Sequence, residues 1–130
     1  MPSVINLSEI PYFDGHCDTI WRCMYGEPAA CGGLRENNGH LDLLRSGRYG
    51  RRAQFFALFD NAATLPSDPV WPHLCAMHRW FQEQLTANGD MAVLCRTGGE
   101  VDDAVSAGRT AALLSIEGAD LLDCKEENLY

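Results

Sequence analysis

The chain of 130 residues has no apolar run near the roughly 20 residues that cross a bilayer, so it offers no candidate transmembrane helix. Its first ten residues lack a basic stretch followed by an apolar block, and no secretory leader is expected. No Cys-x-x-Cys occurs, and the six cysteines, at 17, 23, 31, 75, 95 and 124, match no zinc-finger spacing. Free thiols in the cytoplasm are therefore the expectation. Neither a P-loop nor a Gly-x-Gly-x-x-Gly turn is present, which weakens a nucleotide-binding reading. Positive charge is scarce: 10 Lys and Arg stand against 18 Asp and Glu, a formal net charge of −8. That balance argues against nucleic acid or an anionic membrane as the main partner, and it is compatible with cation binding.

What is present suits one globular domain, because 46% of the residues are hydrophobic and the length is that of a single domain. The organising stretch is Tyr12-Phe13-Asp14-Gly15-His16-Cys17-Asp18. Its apolar lead-in predicts a first strand over residues 12–18. Side chains two apart on a strand share a face. His16 and Asp18 are thus expected to project together, with Cys17 turned away. An imidazole and a carboxylate held in this way suit a divalent metal such as zinc. A plain polar strand end would carry the same two residues.

Residues 19–23 fit a helical turn, with Trp21 packing or lining a pocket mouth, and the Gly-, Pro- and Asn-rich residues 25–38 read as a loop. Leu41, Leu43 and Leu44 predict a short helix or turn within 39–46, stopped by Gly47. Arg45, Arg48, Arg51 and Arg52 form a local basic cluster. They are either solvated loop charge or a patch that clamps carboxylates, which guanidinium groups do in a forked geometry. Residues 53–60 are almost wholly apolar, as a parallel strand covered on both faces should be.

After a loop at 61–69, Ser67 or Asp68 fits a helix cap and Pro69 the first helical position. The helix should run to about Ala87 on the stripe Val70, Leu74, Met77, Trp80, Phe81 and Leu85. His73 and His78 are five apart, not three or four, and read as helix-surface residues. Residues 91–95 fit a short strand, and 100–107 a helix that Gly108 stops. Residues 110–118 predict a buried strand ending in Glu117-Gly118. A buried charge is costly unless paired or bound to metal, so Glu117 should emerge at the strand end, as a ligand or as a surface or capping carboxylate. Asp120 and Asp123 follow in a loop, and residues 126–130 look like the opening of a helix.

Strands alternating with helices predict a parallel sheet with right-handed crossovers and chemistry at the carboxyl ends of the strands. Both His16/Asp18 and Glu117 fall at such ends. With residues 53–60 between them, Phe13-Asp14-Gly15-His16-Cys17-Asp18 and Ala112-Leu113-Leu114-Ser115-Ile116-Glu117-Gly118-Ala119 resemble the N-terminal part of the membrane (renal) dipeptidase family of zinc metallopeptidases. The resemblance runs from about Pro11 to the end of the chain. Cys17 stands where that family more often has Asn, a position that is not a ligand.

The resemblance implies an α/β fold, the N-terminal part of a (β/α)8 TIM-like barrel of the metal-dependent hydrolase type. Residues 1–130 would then form a single domain, an incomplete barrel belonging to a longer chain. It also implies two zinc ions, with His16 and Asp18 on one and Glu117, the catalytic candidate, bridging both. The implied activity is hydrolysis of a dipeptide by a metal-bridged hydroxide. Two further histidine ligands, a catalytic aspartate and a substrate-holding histidine come from later strands in that family and have no counterpart here. The 130-residue chain alone is accordingly expected to be inactive. The alternative is a non-catalytic metal-binding or interaction fragment that folds with a partner chain or as a homo-oligomer.

Overall fold

A computed structural model describes residues 4–26, 32–60 and 70–130. Within them a short β1 (Tyr12–Asp14) leads to α1 (Thr19–Met24) and a single helical turn, α2 (Leu43–Ser46). Then come β2 (Arg52–Leu58), α3 (Val70–Ala87), β3 (Ala92–Leu94), α4 (Gly98–Ser106) and β4 (Thr110–Ile116). Three short 3-10 turns lie at Leu7–Glu9, Ala119–Leu122 and Glu126–Leu129, the last where a helix opening was expected. The four strands form one all-parallel sheet in the order β1-β2-β4-β3. The chain passes from β2 to the edge strand β3 and returns to place β4 between them.

The apolar runs explain why β2 and β4 take the middle. Their paired residues present alternate side chains to two covered faces. On one face Phe56, Leu58 and Ala112 join Ile20 of α1 and Leu74, Met77, Phe81 and Leu85 of α3 in a single core. The α3 stripe read from the sequence is the side that is buried. On the other face Ala53 and Ala111 meet Ala104 of α4. Small residues on both sides let this helix lie close to the sheet.

Several boundaries differ from expectation, each for a local reason. β1 ends at Asp14, not residue 18, and β2 ends at Leu58, not residue 60. β4 ends at Ile116, one residue before Glu117. α4 starts at Gly98 because Thr97 and Glu100 form a capping box: Glu100 N donates to Thr97 Oγ1 at 3.2 Å and Thr97 N to Glu100 Oε2 at 3.0 Å. The backbone N–H groups of Arg96, at 2.6 Å, and of Thr97 both donate to Oε2 and hold the exposed Glu100 carboxyl below its ordinary range. Gly108, at φ +73°, is the expected stop. Gly47 ends α2 while still right-handed, at φ −60°. The expected cap at Ser67 or Asp68, Pro69 and the loop at 61–69 lie outside the described residues, as do residues 27–31 with Cys31.

The four arginines do not form one patch. Arg51 points to Asp102, at 3.5 Å, and Arg45 to Asp42, at 2.6 Å. Arg52 is buried, with 8% of its surface exposed. It donates to Thr110 Oγ1 at 3.1 Å and to the carbonyls of Tyr49 (2.7 Å), Gly50 (2.8 Å) and Gly108. The side chain thereby ties the entry of β2 to the entry of β4. An ammonium keeps the charge but lacks the flat fork of donors that reaches all four oxygens. Arg52→Lys is therefore expected to lower unfolding stability by about 2 kcal/mol, through acceptors left unpaired. Urea denaturation of the two proteins measures it, and coincident midpoints would show that the fork is not needed.

Candidate metal centre

The site is assembled across the carboxyl end of β2. The Cys17 carbonyl accepts from Ala57 N at 3.0 Å, which fastens the His16-Cys17-Asp18 segment to one side of that strand end. From the other side Glu117 N donates to the Leu58 carbonyl, also at 3.0 Å. Two segments about a hundred residues apart in sequence are thus held one strand-width to either side of β2, a spacing of about 5 Å between neighbouring strands.

The side chains converge as a result. His16 Nε2 lies 3.2 Å from Asp18 Oδ1 and 3.4 Å from Glu117 Oε2. Among the described residues this is the one group of three metal-ligating types, its donor atoms all within 4.8 Å of one another. About half of each side chain is exposed (50%, 51% and 52%), so an ion can enter from solvent.

The three side chains come together as expected, but for a different reason. His16 and Asp18 are not on a strand, and pleat alternation does not pair them. Asp14 Oδ1 accepts from His16 N at 3.1 Å, an Asx-type turn that gives this amide a side-chain partner in place of a ladder partner. The strand stops there. Asp18 then becomes the N-cap residue of α1, yet its carboxylate makes no capping bond and remains turned to His16. Cys17 packs against the main core. Burial pushes its thiol up, so it remains a neutral thiol, in keeping with its reading as a non-ligand.

Gly118 completes the placement of Glu117. It sits at φ +96°, a conformation that favours glycine, and a Cβ there would press on Asp120 Oδ1. The chain can therefore turn away immediately after the ligand. Beside the cluster lies a cavity of about 820 Å³. Asp14, His16 and Asp18 form its polar side; Trp21 and Phe59, with ring centroids 6.2 Å apart, stand on its apolar side. Tyr12 shares the polar side, its hydroxyl between Asp14 Oδ2 (3.4 Å) and Gln54 Oε1. Burial first, and then the Asp14 carboxylate, push the Tyr12 phenol well up, so it keeps its proton.

His73 is not the plain surface residue that its spacing suggested. Its Nδ1 is 2.9 Å from Oδ2 of the buried Asp60, and the Tyr25 ring stacks on it at 5.4 Å and 15°. The sequence held a signal for this pair: Asp60 closes an apolar strand much as Glu117 closes its own. His78 is half-buried on the same helix. The five described cysteines, 17, 23, 75, 95 and 124, are free thiols. Among the described residues no helix is long and apolar enough to cross a membrane. No family model matches the chain, and no curated protein matches its sequence.

Proposed function

We propose that His16, Asp18 and Glu117 are the first part of a zinc site in a metallo-dipeptidase, a cytoplasmic hydrolase whose remaining ligands belong to a longer form of the chain. The observation that carries this reading is the convergence of one imidazole and two carboxylates from two strand ends. One nitrogen and two carboxylate oxygens are a donor set that zinc accepts, with positions left for water and substrate. Zinc in such a place polarises a carbonyl and makes water a better nucleophile near neutral pH. His16 and Asp18 would hold one ion, and Glu117 would lie between it and a second.

The chain's own residues do the positioning. Asp14 fixes the backbone of His16 through its Asx turn. His16 Nε2 faces both carboxylates, and a cation would sit among the three. The adjoining cavity, at about 820 Å³, has room for a dipeptide, with polar groups on one side and rings on the other. β1, β2 and β4 lie side by side as consecutive strands of a (β/α)8 barrel would, with β3 as an added edge strand. β3 pairs with β4 only over residues 110–112, so a following barrel strand would have to pair with β4 beyond Ala112.

A second reading, an interaction fragment that assembles with a partner chain, is favoured by one observation. Phe13 on the edge strand β1 is 72% exposed, its ring 6.0 Å from that of Phe55.

The test uses calorimetry and a peptidase assay together. The 130-residue chain should bind one zinc, and it should release no amino acid from Gly-D-Ala with zinc supplied. Residues that act as a unit lose most of their effect when some are missing. Absence of zinc binding would overturn the metal reading. Zinc-dependent hydrolysis that disappears in Glu117→Gln would show that the chain is a complete catalyst and that the missing ligands are not needed.

A further inference from the structure

Of the arginines that the sequence clusters and the fold separates, Arg48 alone is left without a side-chain partner among the described residues. Its side chain has no ion pair or hydrogen bond among the described residues. It lines a cavity of about 330 Å³ together with His40, Asp42, Arg45, Ser46 and Tyr49. Two of these walls cancel each other. Arg45 donates from Nε to Asp42 Oδ2 at 2.6 Å, and its backbone N donates to Asp42 Oδ1 at 2.7 Å. The remaining guanidinium donors of Arg45 reach the carbonyls of Gly39 (2.7 Å) and Asn37 (3.3 Å). Burial raises the Asp42 carboxyl, but the bonds from Arg45 and Asn37 outweigh it and hold it below its ordinary range. The pair is therefore a closed, neutral unit, and Arg48 leaves the wall with positive charge.

An independent observation comes from Ser46, at the end of α2. This residue is 8% exposed, and its Oγ is the one buried side-chain oxygen or nitrogen among the described residues that has no hydrogen-bond partner. A buried hydroxyl without an acceptor is unfavourable, and native structures seldom keep one without a use. Here it belongs to the wall that carries Arg48. Exposed His40 adds a further donor to the same cavity.

We propose that this cavity binds a small carboxylate, gripped by the Arg48 fork and accepting a hydrogen bond from Ser46 Oγ, which the side chain must rotate to present. A carboxylate fits better than a phosphate for two reasons. The guanidinium fork matches two coplanar oxygens. One uncompensated guanidinium balances one negative charge, and a dianion would meet the Asp42 carboxylate. The site shares Tyr12 and His40 with the larger cavity but does not depend on the metal reading.

The probe is acetate, added to the 130-residue chain in EDTA at constant ionic strength, with inorganic phosphate as the second arm. Acetate should shift the Arg48 Nε and Ser46 amide resonances saturably, and Arg48→Gln should weaken it about tenfold or more, as loss of a charge-assisted bond requires. Ser46→Ala should melt at a higher temperature than the parent without acetate, because an unpaired hydroxyl is gone, and should lose the rise that acetate gives the parent. Acetate affinity should be unchanged in His16→Ala. Shifts that do not saturate, equal affinity in Arg48→Gln, or an undiminished acetate effect in Ser46→Ala would overturn the site. Tighter binding of phosphate than of acetate would overturn the carboxylate assignment. Loss of acetate binding in His16→Ala would show that the site is part of the metal centre.

Discussion

His16→Ala will lose zinc by more than about a hundredfold in affinity, because even groups that merely support ligands are worth 10–100-fold. The imidazole is the one nitrogen donor of the cluster, and both carboxylates are oriented toward it. Without it, two half-exposed carboxylates remain on separate segments, and water competes with each. The fold should not suffer, since the three side chains are about half exposed and lie outside both cores. Circular dichroism of the variant should therefore match the parent while the zinc isotherm vanishes. Cys17→Ala is the control inside the same motif: its sulfur faces the core, and zinc affinity should stay as it was. An unaltered isotherm in His16→Ala would mean that zinc binds elsewhere.

Phe56→Ala has the largest expected effect on stability. The ring is fully buried at the middle of β2 and lies 5.1 Å from the equally buried ring of Phe81, at 45°. It is one of the contacts that seat α3 on the sheet. Removing a buried phenylalanine side chain costs about 3–5 kcal/mol in lost transfer energy and residual cavity. Small domains have about 5–15 kcal/mol in total, so the variant should be largely unfolded or melt far below the parent. Urea and thermal denaturation followed by circular dichroism measure this. A midpoint close to the parent's would show that α3 does not rest on this face. Phe13→Ala provides the contrast, because Phe13 is mostly exposed and its loss should barely move the midpoint.

The metal cluster shows where local pattern ends and packing begins. The Asp-Gly-His-x-Asp motif and the Glu-Gly strand end were each visible as sequence, and so was their common rim. The way they meet was not. Pairing of His16 with Asp18 rests on an Asx turn at Asp14, where a side chain outcompetes the strand ladder for one amide. Such a competition depends on geometry at a single residue, which periodicity does not record. Glu117 reaches His16 only because β4 lies against β2, as the Leu58 carbonyl bond shows.

By itself the sequence determined the alternation of the main strands and helices and the buried stripe of α3. The apolar stripe of α3, the continuous apolar runs of β2 and β4, and the glycine stop at Gly108 follow from short-range spacing and backbone preference. Tertiary structure alone decided the strand order, with β3 at the edge, and the separate fates of the four arginines. It also decided the pairing of His73 with Asp60. Each of these depends on which distant segment arrives beside a residue. A buried guanidinium or carboxylate is tolerable only where the fold supplies its partners, and those partners lie on other elements.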